Sequence, residues 1–443
     1  MTVNCPAPQR VAGKNQWTPL VPLLLGVLTT GLASGMINTA LPTIAADLGT
    51  SPGARAWMAD AYPLAVAVSI VVAARLGDRF GRRRTLLAGL AGFAVLSAGA
   101  LVADSTAAVV TIRALSGVAG AFLLASVVGT IGTLYRGHTV AVANGLWVAV
   151  FGAATAVGPA LGGAVTQGLG WQWVFVLCAP IAAAALASAV FLVPETASRQ
   201  PVSFDPWSIV CAVFGLGGIV LGLERAPQAP LTGGLVFAVG GVLLTAFLRR
   251  QRRLATPLIS LDLFARPRFA TSFTRIAVSA GTAVACTYLV SVHVQQDLGW
   301  SATQAGLALV PQAVATALGG LLGPVAARRF GRGRTLRLAL GAQAAGLAAL
   351  AWAPAGVAVP ISAVGFGFGV VGSLATAELF DGTSASDSGQ VGAVQEVAFA
   401  AGSGLGIAVF ATVAVAGGSH GYPVATAAAA AITVIAAALR EKR

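Results

Sequence analysis

The chain has 443 residues, of which 57% are hydrophobic and only 9% are charged. A soluble domain carries about 25% charged residues, so this chain cannot cover a water-facing surface and is predicted to be a polytopic helical membrane protein. The formal charge of +13 does not indicate a nucleic-acid-binding protein, because the basic residues lie in short turns between apolar runs.

Apolar runs long enough to cross a bilayer follow one another along the whole chain. Turn residues and charges separate these runs, which makes them countable. We predict an all-α fold with fourteen transmembrane helices, at approximately 19–42, 57–76, 86–103, 108–131, 141–166, 172–193, 207–224, 232–248, 269–292, 303–326, 336–353, 357–377, 389–416 and 423–439.

The basic residues are distributed unevenly between the two sides of the predicted helices. Of the 27 lysines and arginines, 23 fall on the side of the N-terminal segment and 2 on the opposite side. This asymmetry predicts that both termini are cytoplasmic. Residues 1–18 lack a cleavage pattern and are interpreted as a cytoplasmic tail instead of a signal peptide.

Two basic turns have nearly the same sequence, RFGRRRTL at 79–86 and RFGRGRTL at 329–336. Such a repeat indicates a duplicated membrane unit. The turns are eight predicted helices apart, whereas two six-helix bundles alone would place them six apart. We therefore predict two inserted helices. The predicted regions are a tail at 1–18, a six-helix bundle at 19–193, inserted helices with a basic linker at 194–268, a six-helix bundle at 269–439 and a tail at 440–443.

Several motifs occur in the order and spacing of one known family. The fourth predicted helix contains RALSG at 113–117, and the fifth contains GPALGG at 158–163. The first basic turn carries Asp78, Arg79, Gly81, Arg82 and Arg83. Together these motifs resemble the major facilitator superfamily, specifically its fourteen-helix drug:proton antiporter branch. The resemblance extends over nearly the whole chain and implies two six-helix bundles that move about a central cavity.

The first predicted helix departs from the pattern of that branch, which usually reads D-x-T-I-V-N-V-A-L-P, with the acid buried near mid-membrane. Here the segment is ASGMINTALP at 33–42, with Asn38 kept and Ala33 in place of the acid. Any proton-coupling role of that position must therefore move to another residue or be absent.

Three charged residues within predicted helices are candidates for proton coupling. A charge inside a membrane is energetically costly, so its presence there indicates a functional role. Asp60 follows Trp57 in the second helix, and the resemblance gives Arg113 a charge-relay role. Glu396 lies two turns into the thirteenth helix, where burial would favour its protonated form. The alternatives are an interfacial acid at Asp60, a snorkelling Arg113 and a helix-end acid at Glu396.

The first basic turn is a candidate cytoplasmic gate. Gly81 permits a tight turn, and Asp78 could cap a neighbouring helix or pair with arginines across the two halves. A solvated basic turn is the alternative for the arginines. The second copy has Arg328 at the position of Asp78, so we expect the two turns not to be equivalent.

The motif Gly158, Pro159, Gly162 and Gly163 is predicted to act through the backbone. The proline bends the helix, and the glycines allow another helix to approach. In the resembling family this motif accompanies export, and ordinary helix packing is the alternative. Polar contacts to a substrate are predicted for Asn38, Tyr62 and Arg275, with snorkelling as the alternative for Arg275.

The sequence contains no Walker motif, catalytic triad or cluster with metal spacing, so we expect no enzymatic activity, no cofactor and no metal. We predict a monomeric secondary transporter in a bacterial cytoplasmic (inner) membrane, with the lipid bilayer, protons and a small-molecule substrate as its partners. It would export lipophilic or amphipathic molecules in exchange for protons. An uptake permease and a non-transporting membrane sensor are the alternatives.

Overall fold

The computed structural model describes residues 17–50, 52–135, 138–195, 205–226, 229–254, 257, 259–352, 356–381 and 388–439. Within these ranges the regular secondary structure is helical, as predicted. The helices are α1 (Leu20–Asp47), α2 (Pro52–Phe80), α3 (Arg82–Gly99), α4 (Thr106–Leu134), α5 (His138–Leu169), α6 (Gln172–Val176), α7 (Cys178–Leu192), α8 (Pro206–Arg225), α9 (Pro230–Gln251), α10 (Pro267–Gln296), α11 (Ala302–Phe330), α12 (Arg332–Trp352), α13 (Ala358–Phe380), α14 (Ser388–Ala416) and α15 (Gly421–Ala438).

All fourteen predicted spans coincide with long helices, of which the sixth is interrupted between α6 and α7. The interruption lies at Leu177, where Pro180 lacks the N–H that would bond to the carbonyl of Val176. In the described part of the chain, thirteen helical segments are long and apolar enough to cross a membrane. The long helix that does not qualify is α12, which begins with a cluster of arginines.

The same packing pattern occurs twice along the chain. In the first helix set (α1–α7), α1 packs on α5, α2 on α4, and α3 on both α4 and α7. In the second helix set (α10–α15), α10 packs on α14, α11 on α13, and α12 on both α13 and α15. These are equivalent pairs if each set is counted from its first helix and α6 and α7 are counted as one interrupted helix. This repetition agrees with a duplicated unit, whereas the exact domain boundaries stay a prediction.

Two lines of contact join the helix sets. Along the first, α5 packs on α11, with Gly145 against Gly320 and Gly152 against Thr316. Along the second, α14 packs on α2 and α4, and Gly392 lies against Gly129. Small residues at these positions allow the helix backbones to approach closely, as is usual within membranes, where lipid is as apolar as the protein.

The inserted helices α8 and α9 form a hairpin, in which α8 packs against α2 and α14. Its two helices approach through glycines, with Gly218 packed against Gly240. At the open end of the hairpin, Arg250 donates two hydrogen bonds to Asp205, of 2.5 and 2.9 Å. Most of the remaining surface of the hairpin is exposed and apolar, which suits contact with lipid acyl chains.

Candidate functional site at the basic turns and the interface between the helix sets

The two basic turns have the same backbone construction. Each has a glycine with positive φ between two helices, Gly81 at +106° and Gly331 at +81°. Four residues later a threonine hydroxyl, of Thr85 or Thr335, donates a hydrogen bond to the carbonyl of that glycine. A side chain other than glycine is strained in this region of φ, so both turns depend on glycine in the same way.

Asp78 and Arg82 form a buried ion pair at the first turn, with 3.0 Å between Arg82 Nη2 and Asp78 Oδ1. The guanidinium also bonds to α4, because its Nη1 donates to the carbonyl of Gly129 at 2.5 Å and to the hydroxyl of Thr133. Arg82 is 2% exposed. The predicted gate residues Asp78 and Arg82 are thus brought together, and they fasten the start of α3 to the end of α4.

The second turn has a corresponding ion pair that we did not predict. Arg332, the first residue of α12, pairs with Asp381, which follows the end of α13. The first turn takes its acid from Asp78, whereas the second has Arg328 there and takes its acid from Asp381. The acid of the second turn thus comes from another helix, because its sequence has none at the position of Asp78. The turns still differ, because Arg332 and Asp381 are much more exposed than Arg82 and Asp78.

Glu195 is a further acid at the first turn that the sequence reasoning missed. Its Oε1 accepts a 3.4 Å hydrogen bond from the backbone N–H of Arg83, and its carboxylate lies beside Gly81. The side chain of Arg83 donates to the carbonyl of Val190 in α7. An anion at the first turn of α3 is favoured by the helix dipole. In the sequence Glu195 is a lone acid after α7, 112 residues from its partner Arg83, and no local pattern links the two. Arg79, by contrast, is exposed and lies over the ring of Phe80.

Arg113 is buried near the other end of the first helix set. It donates hydrogen bonds to the backbone carbonyls of Met58 at 3.0 Å and Ala33 at 3.3 Å. Its guanidinium carbon lies 4.9 Å from the centre of the Tyr62 ring, a cation–π arrangement. Arg113 therefore touches the position at which the resembling branch carries an acid. The predicted proton-coupling residue Asp60 lies in α2, and its side chain is outside the described residues.

The α5 motif packs against α1 through two of its three glycines. A Cβ atom on Gly158 would lie 2.6 Å from Gly35 Cα, and one on Gly162 would lie 2.5 Å from the carbonyl oxygen of Met36. A Cβ atom on Gly163 would meet nothing within 4 Å. Pro159 lies between them inside α5. The motif thus serves a helix contact within the first helix set.

Glu396 is buried in α14, one helical turn beyond the Gly392 contact with α4. It is 1% exposed, and its Oε1 has no hydrogen-bond partner among the described residues. The adjacent Gln395 is equally buried, and its Oε1 likewise has no partner in the described ranges. An unpaired carboxylate is therefore held where α14 meets the first helix set.

The predicted substrate contacts lie in different places. Tyr62 packs on α3 and α4 within the first helix set, against Phe93 and Gly120. Arg275 is buried, and its Nη2 donates a 2.9 Å hydrogen bond to the carbonyl of Leu439 after the last helix. The side chain of Asn38 is outside the described residues. The structure does not bring Tyr62 and Arg275 together, and a substrate contact stays a prediction for all three residues.

The described residues contain no group of three His, Cys, Asp or Glu side chains placed to hold a metal ion. Within the same ranges, Cys178, Cys211 and Cys286 are free thiols.

Residues 23–407 match the family model of the Major Facilitator Superfamily. The chain is 34% identical over 405 residues to the multidrug efflux pump LfrA of Mycolicibacterium smegmatis, covering 90% of this chain and 80% of that protein. It is 32% identical over 407 residues to the tetracenomycin C resistance and export protein of Streptomyces glaucescens, covering 89% and 75%.

The fold is similar to the crystal structure of the human organic anion transporter MFSD10 (TETRAN), with a TM-score of 0.67 and 15% sequence identity. The match covers 96% of this chain and 98% of that one. The expected fold and the expected absence of an enzyme class agree with these relatives, which are membrane transporters. The chain is a multi-pass membrane protein that belongs to the major facilitator superfamily.

Proposed function

We propose that the protein exports lipophilic or amphipathic small molecules, such as drugs, antibiotics or a secondary metabolite of the cell itself, in exchange for protons. The observation that carries this proposal is the similarity to a multidrug efflux pump over 90% of the chain. We infer the outward direction of transport from that efflux pump and from the tetracenomycin C export protein. The two helix sets would rock against each other and expose a central site to each side in turn.

Proton coupling is assigned to Asp60, Arg113 and Glu396. A buried carboxylate without a partner, as at Glu396, is costly when charged, so the closed interface favours a bound proton there. Opening of the interface would admit water and allow the proton to leave. Arg113 holds a fixed positive charge beside α1 and α2, the latter of which carries Asp60. Its charge would favour loss of a proton from a nearby acid.

The first basic turn is assigned the role of a gate. The ion pair of Asp78 and Arg82 ties α2 and α3 to the end of α4, where Gly132 and Gly129 also contact the second helix set. This arrangement supports a closed state on the side of the basic turns. We propose that this side is cytoplasmic, that both termini lie there, and that one chain suffices for transport in a bacterial inner membrane.

The experiment is transport by the purified chain in proteoliposomes with an imposed pH gradient. Uptake or release of ethidium driven by the gradient is expected for the wild-type chain. Asp60→Asn and Glu396→Gln should each reduce coupled transport at least tenfold, whereas Asp104→Asn, an exposed acid in a loop, should leave it unchanged. Absence of gradient-driven flux from the wild-type chain would refute proton-coupled transport, and flux in the inward direction in cells would identify an uptake permease.

A further inference from the structure

The open end of the inserted hairpin carries a group of exposed arginines. Arg249 lies in the last turn of α9, and Arg252 and Arg253 lie in the turn that follows the helix. Beyond the linker, Arg266 and Arg268 flank the first residue of α10. The order of the helices places the linker on the same side of the membrane as the two basic turns. A strongly positive surface is thus held at the edge of the membrane.

The protein supplies no anion to this surface in the part of the chain that the structure describes. None of the five arginines forms an ion pair or a side-chain hydrogen bond there. The neighbouring Arg250 differs, because it donates two hydrogen bonds to Asp205. The dipole of α9 favours cations at its end, whereas that of α10 disfavours Arg266 and Arg268 at its start. Helix stabilisation therefore does not explain the whole group.

The linker between the two groups of arginines is attached to the helices on both sides. Gln251 is buried, and its Nε2 donates a 2.8 Å hydrogen bond to the hydroxyl of Ser208 in α8. Its Oε1 accepts a 3.4 Å bond from the N–H of Ile259. Further along, the ring of Phe264 meets that of Phe269 in α10 edge to face, with 5.3 Å between their centres. These contacts keep the arginines beside the ends of α9 and α10.

An exposed apolar stripe along α9 leads to the arginines. Leu235, Val242 and Arg249 follow one another at intervals of seven residues and therefore lie on one face of the helix. Leu235 is 59% exposed and Val242 68%. Trp207, at the start of α8, is also exposed at the open end, and tryptophan is typical of the boundary between membrane and water. The stripe suits an acyl chain, and the arginines at its end suit a negatively charged headgroup.

We propose that the open end of the hairpin binds an anionic phospholipid, whose phosphate group contacts Arg249, Arg252 and Arg253 while an acyl chain lies along Leu235 and Val242. Guanidinium groups bind phosphate oxygens through paired, charge-assisted hydrogen bonds. Phosphatidylglycerol has such a phosphate and a net negative charge. Phosphatidylcholine also carries an ammonium group, which the arginines repel. This inference goes beyond the proposed function, because it does not depend on what the protein transports.

The test is native mass spectrometry of the purified full-length chain, delipidated in detergent and titrated with phosphatidylglycerol or phosphatidylcholine of identical acyl chains. The wild-type chain should bind phosphatidylglycerol at least tenfold more tightly. The triple variant Arg249→Gln, Arg252→Gln, Arg253→Gln should lose at least tenfold in that affinity, because each arginine near an anionic lipid contributes roughly fivefold. Lysine at the same three positions keeps the charge and should weaken binding by no more than about threefold.

A second triple variant, Arg329→Gln, Arg332→Gln, Arg337→Gln, removes the same charge from the second basic turn. Those guanidinium groups already contact a ring, an acid and a backbone carbonyl of the chain. This control should bind phosphatidylglycerol within about twofold of the wild-type chain. The lipid should also raise the unfolding temperature of the control but not that of the hairpin glutamine variant, which compares each variant with itself.

Equal wild-type affinity for the two lipids would overturn the proposal. Equal losses in the two glutamine variants would also overturn it, because binding would then follow net charge and not the hairpin surface. Glycerol 3-phosphate has the phosphate without the acyl chains and should not displace phosphatidylglycerol at millimolar concentration. Displacement by glycerol 3-phosphate would identify a site for a free phosphate and would exclude the lipid site.

Discussion

The guanidinium of Arg82 donates a 2.5 Å hydrogen bond to the backbone carbonyl of Gly129, 47 residues further along the chain. The carbonyl belongs to the last two turns of α4 and also accepts a 2.8 Å hydrogen bond from the hydroxyl of Thr133. A Cβ atom on Gly129 would lie 3.0 Å from Arg82 Nε, so the glycine also leaves room for the side chain. The first basic turn is therefore fixed to α4 by a buried charge.

Arg82→Gln should destabilise the protein strongly, because Asp78 would remain buried as a charge without its partner. Breaking one member of a buried ion pair costs about 3–5 kcal/mol. The double variant Asp78→Asn, Arg82→Gln should recover part of that loss, because it leaves no unpaired charge. Thermal unfolding of the purified variants measures both effects. Equal destabilisation in the single and double variants would contradict the buried-pair interpretation.

Arg332→Gln at the second turn should have a small effect. The side chains of Arg332 and Asp381 are 35% and 55% exposed, and solvent screens such pairs, so the loss should not exceed about 1 kcal/mol. The comparison with Arg82→Gln uses two turns of nearly the same sequence and the same backbone construction. Similar losses at the two turns would show that burial does not set the difference between them.

The three glycines of the six-residue α5 motif differ in how closely they pack, so alanine substitutions there can be compared directly. Gly158→Ala and Gly162→Ala should each destabilise the protein and reduce transport, because the added methyl group would collide with the α1 backbone at Gly35 and Met36. Gly163→Ala meets nothing within 4 Å and should be neutral or stabilising by up to about 1 kcal/mol, since alanine favours helix. Unfolding temperature and ethidium efflux measure the difference. A loss at Gly163 equal to that at Gly158 would refute the packing role.

The helices and the repeat were predictable because their signals are local. Apolar runs define the spans, and the two RFGR turns differ at a single residue. The ends were less accurate: α2 begins at Pro52 and continues to Phe80, beyond the apolar part, because polar end turns keep the helical hydrogen bonds.

The partners of the site residues were harder to predict. Glu195 and Asp381 reach their arginines across 112 and 49 residues, and no spacing rule relates such positions. The contact between the rings of Trp147 in α5 and Phe399 in α14 was also not predictable from the sequence. Lipid-facing and buried positions are both apolar in a membrane helix, so the face that meets another helix does not differ in polarity from the rest.

The final prediction concerns the ion pair of the inserted hairpin. Two hydrogen bonds from Arg250 lower the pKa of Asp205 to about 2, well below the ordinary value for an aspartate. A depressed carboxyl pKa contributes stability above the pKa of the unfolded chain, near 4, and this contribution is lost as the pH falls toward 2. Asp205→Asn should therefore lower the unfolding temperature at pH 7 by no more than about 2 °C, since the pair lies near the surface.

The difference between Asp205→Asn and the wild-type chain should be the same at pH 7 and pH 5 and should shrink between pH 4 and pH 2. Unfolding scans across this range measure it, with Asp104→Asn as a control that changes an exposed acid away from the hairpin. Arg250→Gln should give a pH profile of the same sign but smaller amplitude, because Ser208 still donates a 2.6 Å hydrogen bond to Asp205 in that variant. A difference that persists unchanged at pH 2 would mean that the carboxylate charge does not hold the ends of α8 and α9 together.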